Sequence, residues 1–265
     1  METSGGYARA VQPIRAEAIH TGTEGLDAGD IRIPAPGGEI PGYYARPSRE
    51  GSFPIVLVVH EIFSVHEHIK DVCRRLGKIG YFAIAPDLFY RQGDVTQMKD
   101  FPEINAKVVT KVPDAQAMSD LEAAADSAAA RGGDIARLGL TGFCWGGRIA
   151  WLFAAASPRL KAAVAWYGRL EGAADELHPR RPIDVAAQLR CPVLGLYGGV
   201  DQAIPVASVE RMRAACVAGG KTAEIVVYPA AGHAFFADYR PSYNQPAAAD
   251  GWERMQRWFA EYLNT

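Results

Sequence analysis

The run Gly142-Phe143-Cys144-Trp145-Gly146-Gly147 holds the residues best suited to chemistry. It has the form Gly-x-nucleophile-x-Gly. A strand-like apolar segment, Leu138 to Thr141, precedes it, and an apolar helical segment, Arg148 to Ala156, follows it. A tight strand-to-helix turn of this kind, a nucleophile elbow, presents one side chain above a sheet. The flanking glycines leave room for a strained turn and for close helix packing. The presented residue here is a cysteine, whose sulfur attacks as thiolate.

Ligands of open parallel sheets bind beyond the carboxyl ends of the strands. The residues that follow each strand-like run therefore matter most. After Pro54 to Val59 comes His60-Glu61-Ile62-Phe63. After Tyr81 to Ala85 comes Pro86-Asp87-Leu88-Phe89-Tyr90-Arg91. After Pro192 to Tyr197 comes Gly198-Gly199-Val200-Asp201, and after Thr222 to Tyr228 comes Ala231-Gly232-His233. A nucleophile, an acid and a base thus stand at three strand ends. Their chain order, Cys144 then Asp201 then His233, is the nucleophile-acid-base order of the α/β-hydrolase fold.

The roles follow from the residue types. His233 takes the thiol proton and returns it to the leaving oxygen. Asp201 holds the imidazole tautomer and offsets its charge. The Trp145 N–H, at a helix start, is one oxyanion donor, and the Ile62 N–H, in the loop after the third strand, is the other. Alone, His233 reads equally well as a loop histidine bonded to a backbone carbonyl. Asp201 alone reads as a cap for the helix near Pro205. Glu61 is either a carboxylate that influences when the thiol ionises or a loop anchor. Arg91 is a partner for a substrate carboxylate or a solvated arginine. Tyr239 and Arg240 follow the His233 loop and are placed to line the same cleft. His60 reads as structural. His20, His66, His68 and His178 have no partner pattern, and His66 and His68, two apart, do not share a helix face.

The elements that must position these groups alternate strand and helix. A hairpin, Asp30 to Ile33 and Glu39 to Arg46, opens the sheet across Pro36-Gly37-Gly38. Ile55 to Val59 is a continuous β-rich run suited to a strand buried on both faces. Helices are expected over Glu67 to Ile79, Ala115 to Ala130, Pro205 to Ala218 and Pro246 to Tyr262, the last with a core face of Trp252, Met255, Phe259 and Tyr262. Pro86 to Pro113 and Arg169 to Pro182 read as irregular. The expected architecture is a single-domain α/β-hydrolase of about eight mostly parallel strands with helices on both faces. Residues 1–27 form a lead-in, and 28–265 the domain.

Composition is that of an ordinary globular chain: 265 residues, 49% hydrophobic, with a formal net charge of -2. That balance gives no reason to expect a nucleic-acid or membrane partner. No apolar run approaches the roughly 20 residues of a membrane span. With no signal-peptide pattern, the expected location is cytoplasmic. The four cysteines, Cys73, Cys144, Cys191 and Cys216, form no Cys-x-x-Cys pair, so no metal is expected. Cys73, Cys191 and Cys216 sit in apolar patterns and read as core; Cys144 alone lies in a turn between glycines.

The chain resembles the dienelactone hydrolase (carboxymethylenebutenolidase) family. The matching segments are His60 to Phe63, Ala85 to Gln92, Gly142 to Gly147, Leu196 to Asp201 and Gly232 to Phe236. The resemblance implies a cysteine-dependent hydrolase opening lactones such as dienelactone, or cleaving small carboxylic esters, through a thioester. It implies Cys144, Asp201 and His233 as triad, Glu61 as the residue that acts on the thiol, and Ile62 and Trp145 as oxyanion donors. Arg91 corresponds to a substrate-carboxylate arginine, and Tyr90, Phe63 and Arg240 complete the candidate substrate contacts. It implies no cofactor, a small-molecule lactone or ester as partner, and a monomer or small homo-oligomer. One departure stands out. The best-known members carry a second carboxylate-binding arginine four residues after the catalytic histidine, where this chain has Ala237. A general esterase or thioesterase is the neighbouring reading. A non-catalytic binding or redox-sensing protein on the same fold is the reading of another class.

Overall fold

The computed structural model describes residues 18–264. Eight strands form one sheet in the order β1-β2-β4-β3-β5-β6-β7-β8. They are β1 Leu26–Ala35, β2 Gly38–Pro47, β3 Phe53–Val59, β4 Phe82–Pro86, β5 Gly133–Phe143, β6 Leu160–Trp166, β7 Val193–Gly198 and β8 Ala223–Tyr228. The hairpin β1–β2 and the pair β2–β4 are antiparallel; β4 through β8 are parallel. From β3 the chain first moves outward to β4, then returns to the other side as β5. The switch in direction falls between β3 and β5, where a crevice opens at the strand ends. Glu61 follows β3 and Cys144 follows β5, so the topology sets them side by side.

Among the described residues seven α-helices pack with the strands: α1 Glu67–Lys78, α2 Phe101–Lys107, α3 Asp114–Ala129, α4 Trp145–Ala156, α5 Pro182–Val185, α6 Val206–Ala218 and α7 Gln245–Leu263. Every residue of β3 and of β4 is buried, as their near-continuous apolar runs require for strands covered on both faces. Helix α1 turns Ile69, Val72, Cys73 and Leu76 inward, all with no exposed surface. These residues recur at helical spacing, so one side of the helix is apolar. Helix α3 buries mostly alanines around Leu121, which lets it lie close to the sheet. The inward stripe of α7 is rotated slightly from the expected one. Met255, Trp258, Phe259 and Leu263 are buried, while Trp252 and Tyr262 are half-covered.

Two expectations need correction. Strand β1 begins at Leu26 and pairs along its length with β2, so the strand starts inside the expected lead-in and ahead of its expected start. Thr21 is also tied down, its N–H to Asp71 Oδ1 (2.5 Å) and its carbonyl to Arg74 Nε (2.6 Å). Residues 1–17 of the lead-in lie outside the described residues. The stretch Pro86 to Pro113 is not wholly irregular. It contains α2, whose Asp100 cap accepts the Glu103 N–H at 2.9 Å. This helix buries only Ile104, so it has no apolar period to betray it. Among the described residues no helix is long and apolar enough to cross a membrane.

Candidate active site

The elbow is built as its glycines demand. Cys144 adopts φ 54° and ψ -111°, a region that costs energy for any side chain. Its N–H donates to the Trp166 carbonyl at 3.0 Å, and its own carbonyl accepts the Arg148 N–H at 3.2 Å. A Cβ on Gly142 would stand 2.1 Å from the Gly146 carbonyl oxygen. One on Gly146 would stand 2.4 Å from that of Val59. Strand and helix therefore meet backbone to backbone at this point. Ser64, Tyr167 and Ala234, each following a different strand near the site, also have positive φ.

The three strand-end groups converge. His233 Nε2 lies 3.1 Å from Cys144 Sγ, and His233 Nδ1 lies 2.7 Å from Asp201 Oδ2. The other Asp201 oxygen accepts the N–H groups of Ala203 (2.8 Å) and Ile204 (3.2 Å). Asp201 thus holds the turn before α6 as well as the histidine. Burial alone would raise the Asp201 carboxyl; His233 and these two N–H groups outweigh it and hold it below the usual range. Burial alone would lower His233. The hydrogen bond to Asp201 and the contact with Cys144 override that and raise it to about 10. The other three thiols differ in kind. All are buried; burial pushes Cys191 up to about 12, Cys216 up to about 11 and Cys73 higher still. Such thiols are inert, whereas Cys144 is half-exposed.

The loop after β3 is fixed by His60, which is fully buried. Its Nε2 accepts the Leu88 N–H at 3.1 Å, so its proton sits on Nδ1 and is donated to the Glu61 carbonyl at 2.6 Å. Burial lowers His60, which keeps it neutral in this bridging role. Glu61 is buried, and its Oε2 accepts the Tyr239 hydroxyl at 3.0 Å. Arg240 lies with its guanidinium 5.5 Å from the Phe63 ring centre. Burial alone would lower Arg240; the charge of Glu61 foremost, with Tyr239 and Cys144 behind it, raises it.

A cavity of about 470 Å³ opens over Cys144. Cys144, His233, Ile62 and Trp145 line one part of it; Arg148, Arg169, Arg181 and His178 line another. The expected substrate contacts fall elsewhere. Arg91 donates to the fully buried Asp120 at 2.6 Å and to the Pro36 carbonyl at 2.7 Å. Tyr90 is exposed beside Arg32. Neither lines the cavity, nor do Phe63 and Arg240, which lie with Glu61. Ala237 is fully buried. Sequence reasoning passed over Arg169, Arg181 and His178 because they belong to a loop with no periodicity, although its density of arginine was a visible signal. It also left His66 and His68 without partners. Both are buried, against Tyr239 and Asp238 respectively. His66 is in extended conformation ahead of α1, so the helix-face argument did not apply to it.

A sequence profile described as "Dienelactone hydrolase family" matches residues 40–263. A Methylorubrum extorquens protein named "Putative carboxymethylenebutenolidase" is 60% identical over 259 residues, covering 97% of this chain and 89% of that one. An Escherichia coli K12 protein of the same name is 52% identical over 258 residues, covering 97% and 95%. A solved structure from Klebsiella pneumoniae, described as a "Putative Dienelactone Hydrolase", is 56% identical with a TM-score of 0.88, covering 89% of this chain and 99% of that one. With its sheet order and its strand-end groups, the chain belongs to the dienelactone hydrolase family and is a carboxylic ester hydrolase of the α/β-hydrolase fold.

Proposed function

We propose that this enzyme opens lactones or cleaves small carboxylic esters through a thioester on Cys144. The observation that carries this reading is the relay Cys144–His233–Asp201, with contacts of 3.1 and 2.7 Å at the edge of a cavity sized for a small ligand. His233 Nε2 takes the Cys144 proton, and the electron pair left on Sγ attacks the carbonyl carbon. The displaced electron pair moves to the carbonyl oxygen, facing the N–H groups of Ile62 and Trp145. Collapse breaks the carbon–oxygen bond, and His233 Nε2 gives its proton to the leaving oxygen. In a lactone that oxygen stays tethered to the acyl group. Water then attacks the thioester while His233 takes its proton, and the thiolate leaves. Hydrolysis is redox-neutral, and no cofactor enters the scheme. Glu61 is the second acceptor for the thiol proton, beside His233.

The acid group of a charged substrate faces Arg169 and Arg181 in this reading. Arg91 is engaged by Asp120, and position 237 offers no charge. Arg148 is neutralised by Asp114 in a two-pronged pair of 2.6 and 2.7 Å. Arg181 donates to the Ala173 carbonyl and keeps a buried Nε with no partner among the described residues, and Arg169 is exposed.

The test is turnover of dienelactones and of uncharged p-nitrophenyl esters by wild type and by Cys144→Ala. The expected result is loss of about 10³-fold or more for the variant. Equal rates would remove Cys144 as nucleophile, and with it the thioester.

A further inference from the structure

Behind Glu61 lies a buried polar chain that the hydrolytic scheme does not use. The Tyr239 hydroxyl donates to Glu61 Oε2 at 3.0 Å and lies 3.5 Å from His66 Nε2. Among the described residues it is the sole hydrogen-bond donor to that carboxylate. Two buried atoms of this polar chain, Glu61 Oε1 and His66 Nδ1, have no partner among the described residues. Val59 of β3 pairs with Gly142 of the parallel β5, so Glu61 and Cys144 each stand two residues beyond the same rung of the sheet.

The direction of this chain follows from its chemistry. Burial first, and then the charge of Glu61, raise Tyr239 far above the phenol range, so the hydroxyl keeps its proton and remains a donor. Burial first, then the charges of His68, His60 and Arg240, lower His66 well below the usual imidazole range, so it is neutral. A neutral His66 has one N–H. Placing it on Nε2 gives the Tyr239 oxygen a donor and leaves only a lone pair unmatched at Nδ1; the other tautomer strands a buried N–H, the costlier outcome. The chain then reads His66 N–H to Tyr239 O–H to Glu61 Oε2. The titratable groups that feel the charge of Glu61 are Tyr239 and Arg240 after β8, Tyr167 after β6, and His60 beside it; His66 reaches it through the Tyr239 hydroxyl. His68 stands one layer back, bonded to Asp238 at 3.2 Å, whose second oxygen takes Arg75 at 2.6 Å.

We propose that Tyr239 is a positioning residue for the thiol chemistry. It holds the Glu61 carboxyl through Oε2 and leaves Oε1 as the open acceptor for the Cys144 proton. This rests on the reading that Glu61 receives that proton. In the step, the S–H bond breaks, its electron pair stays on sulfur, and a new O–H bond forms at Oε1. The Tyr239 bond to Oε2 persists throughout, so the carboxyl does not swing when its charge is lost.

The experiment follows the rate of Cys144 alkylation by iodoacetamide against pH, read by peptide mapping of the full-length chain, with thermal stability measured alongside. Tyr239→Phe keeps the ring and removes the donor, which favours the protonated carboxyl. The expected result is an acid limb moved upward by about one to two pH units. Glu61→Gln changes the profile as well, and the double variant matches Glu61→Gln alone, because Tyr239 acts through Glu61. His66→Leu removes the outer donor and moves the limb in the same direction by less, which provides a route if Tyr239→Phe fails to fold. A Tyr239→Phe profile that superimposes on wild type, or a uniform loss at every pH, overturns the proposal. If Glu61→Gln shifts the limb and Tyr239→Phe does not, this inference alone falls. If Glu61→Gln matches wild type, the role of Glu61 in the thiol chemistry falls with it.

Discussion

Nε2 of His233 lies 3.1 Å from Sγ of Cys144, with the far side of the ring held by Asp201 at 2.7 Å. An imidazole between a carboxylate and a sulfur is favoured in its charged form. The ring is therefore held against the sulfur before substrate arrives.

This raises a pH prediction. His233 is raised to about 10 in the folded protein, against about 6.5 when unfolded. A raised group stabilises the fold most fully below its unfolded value. That contribution declines as pH rises and is gone above the folded value. The melting-temperature gap between wild type and His233→Phe is expected to be widest below pH 6.5 and to close as pH climbs through 10. Circular dichroism melts from pH 6 to 11 check it; a gap that stays flat or widens is the contrary result.

Arg91 is expected to matter for stability rather than for substrate charge. Its removal leaves the fully buried Asp120 without its cation. Losing one partner of a buried pair costs about 3 kcal/mol. Urea unfolding of Arg91→Ala measures this, and Arg91→Met with Asp120→Leu should recover much of the loss. An Arg91→Ala protein of wild-type stability with a raised KM for acidic esters alone would restore Arg91 as a substrate contact.

Charge selection is expected to rest on Arg169 and Arg181. The ratio of kcat/KM for a p-nitrophenyl ester bearing a distal carboxylate to that for its neutral analogue is expected to fall about tenfold in Arg169→Gln/Arg181→Gln. A lost charge-assisted hydrogen bond has about that effect. Isothermal titration with glutarate reads the same contact without turnover. An unchanged ratio, with unchanged glutarate binding, rejects the assignment.

Gly146→Ala tests the elbow itself. The new Cβ would stand 2.4 Å from the Val59 carbonyl oxygen and 2.7 Å from that of His60, both rigid backbone. Helix α4 must shift away from β3, carrying Cys144 with it. The expected outcome is a protein with reduced melting temperature and activity lowered by at least about 10²-fold, as misplacement of the nucleophile by about 1 Å would produce. Wild-type activity in Gly146→Ala would show that the close approach is dispensable.

Much of this was readable along the chain. Strand β3 declared itself by Ile55 to Val59, and α1 by the spacing of Ile69, Val72, Cys73 and Leu76. Cys144, Asp201 and His233 were legible because each follows a strand, and strand ends of a parallel sheet share one edge. The hidden parts are those without a period. Helix α2 buries one residue, and the Arg169 to Pro182 loop has no apolar pattern, so neither announced that it would wall the cavity.

The sequence by itself determined the succession of strands and longer helices, the glycine-flanked turn and the strand-end positions of Cys144, Asp201 and His233. Local physics suffices for these, because apolar periodicity and backbone sterics act over a few residues. Tertiary structure decided the partners of the long polar side chains. Asp120 sits on a helix 29 residues beyond Arg91, and Tyr239 meets Glu61 across 178 residues. A flexible charged side chain goes where burial leaves an unmatched opposite charge or hydrogen-bonding group, and that is settled only when the elements pack. The same packing separates Cys144 from its three buried fellows, which the thiol groups themselves do not distinguish.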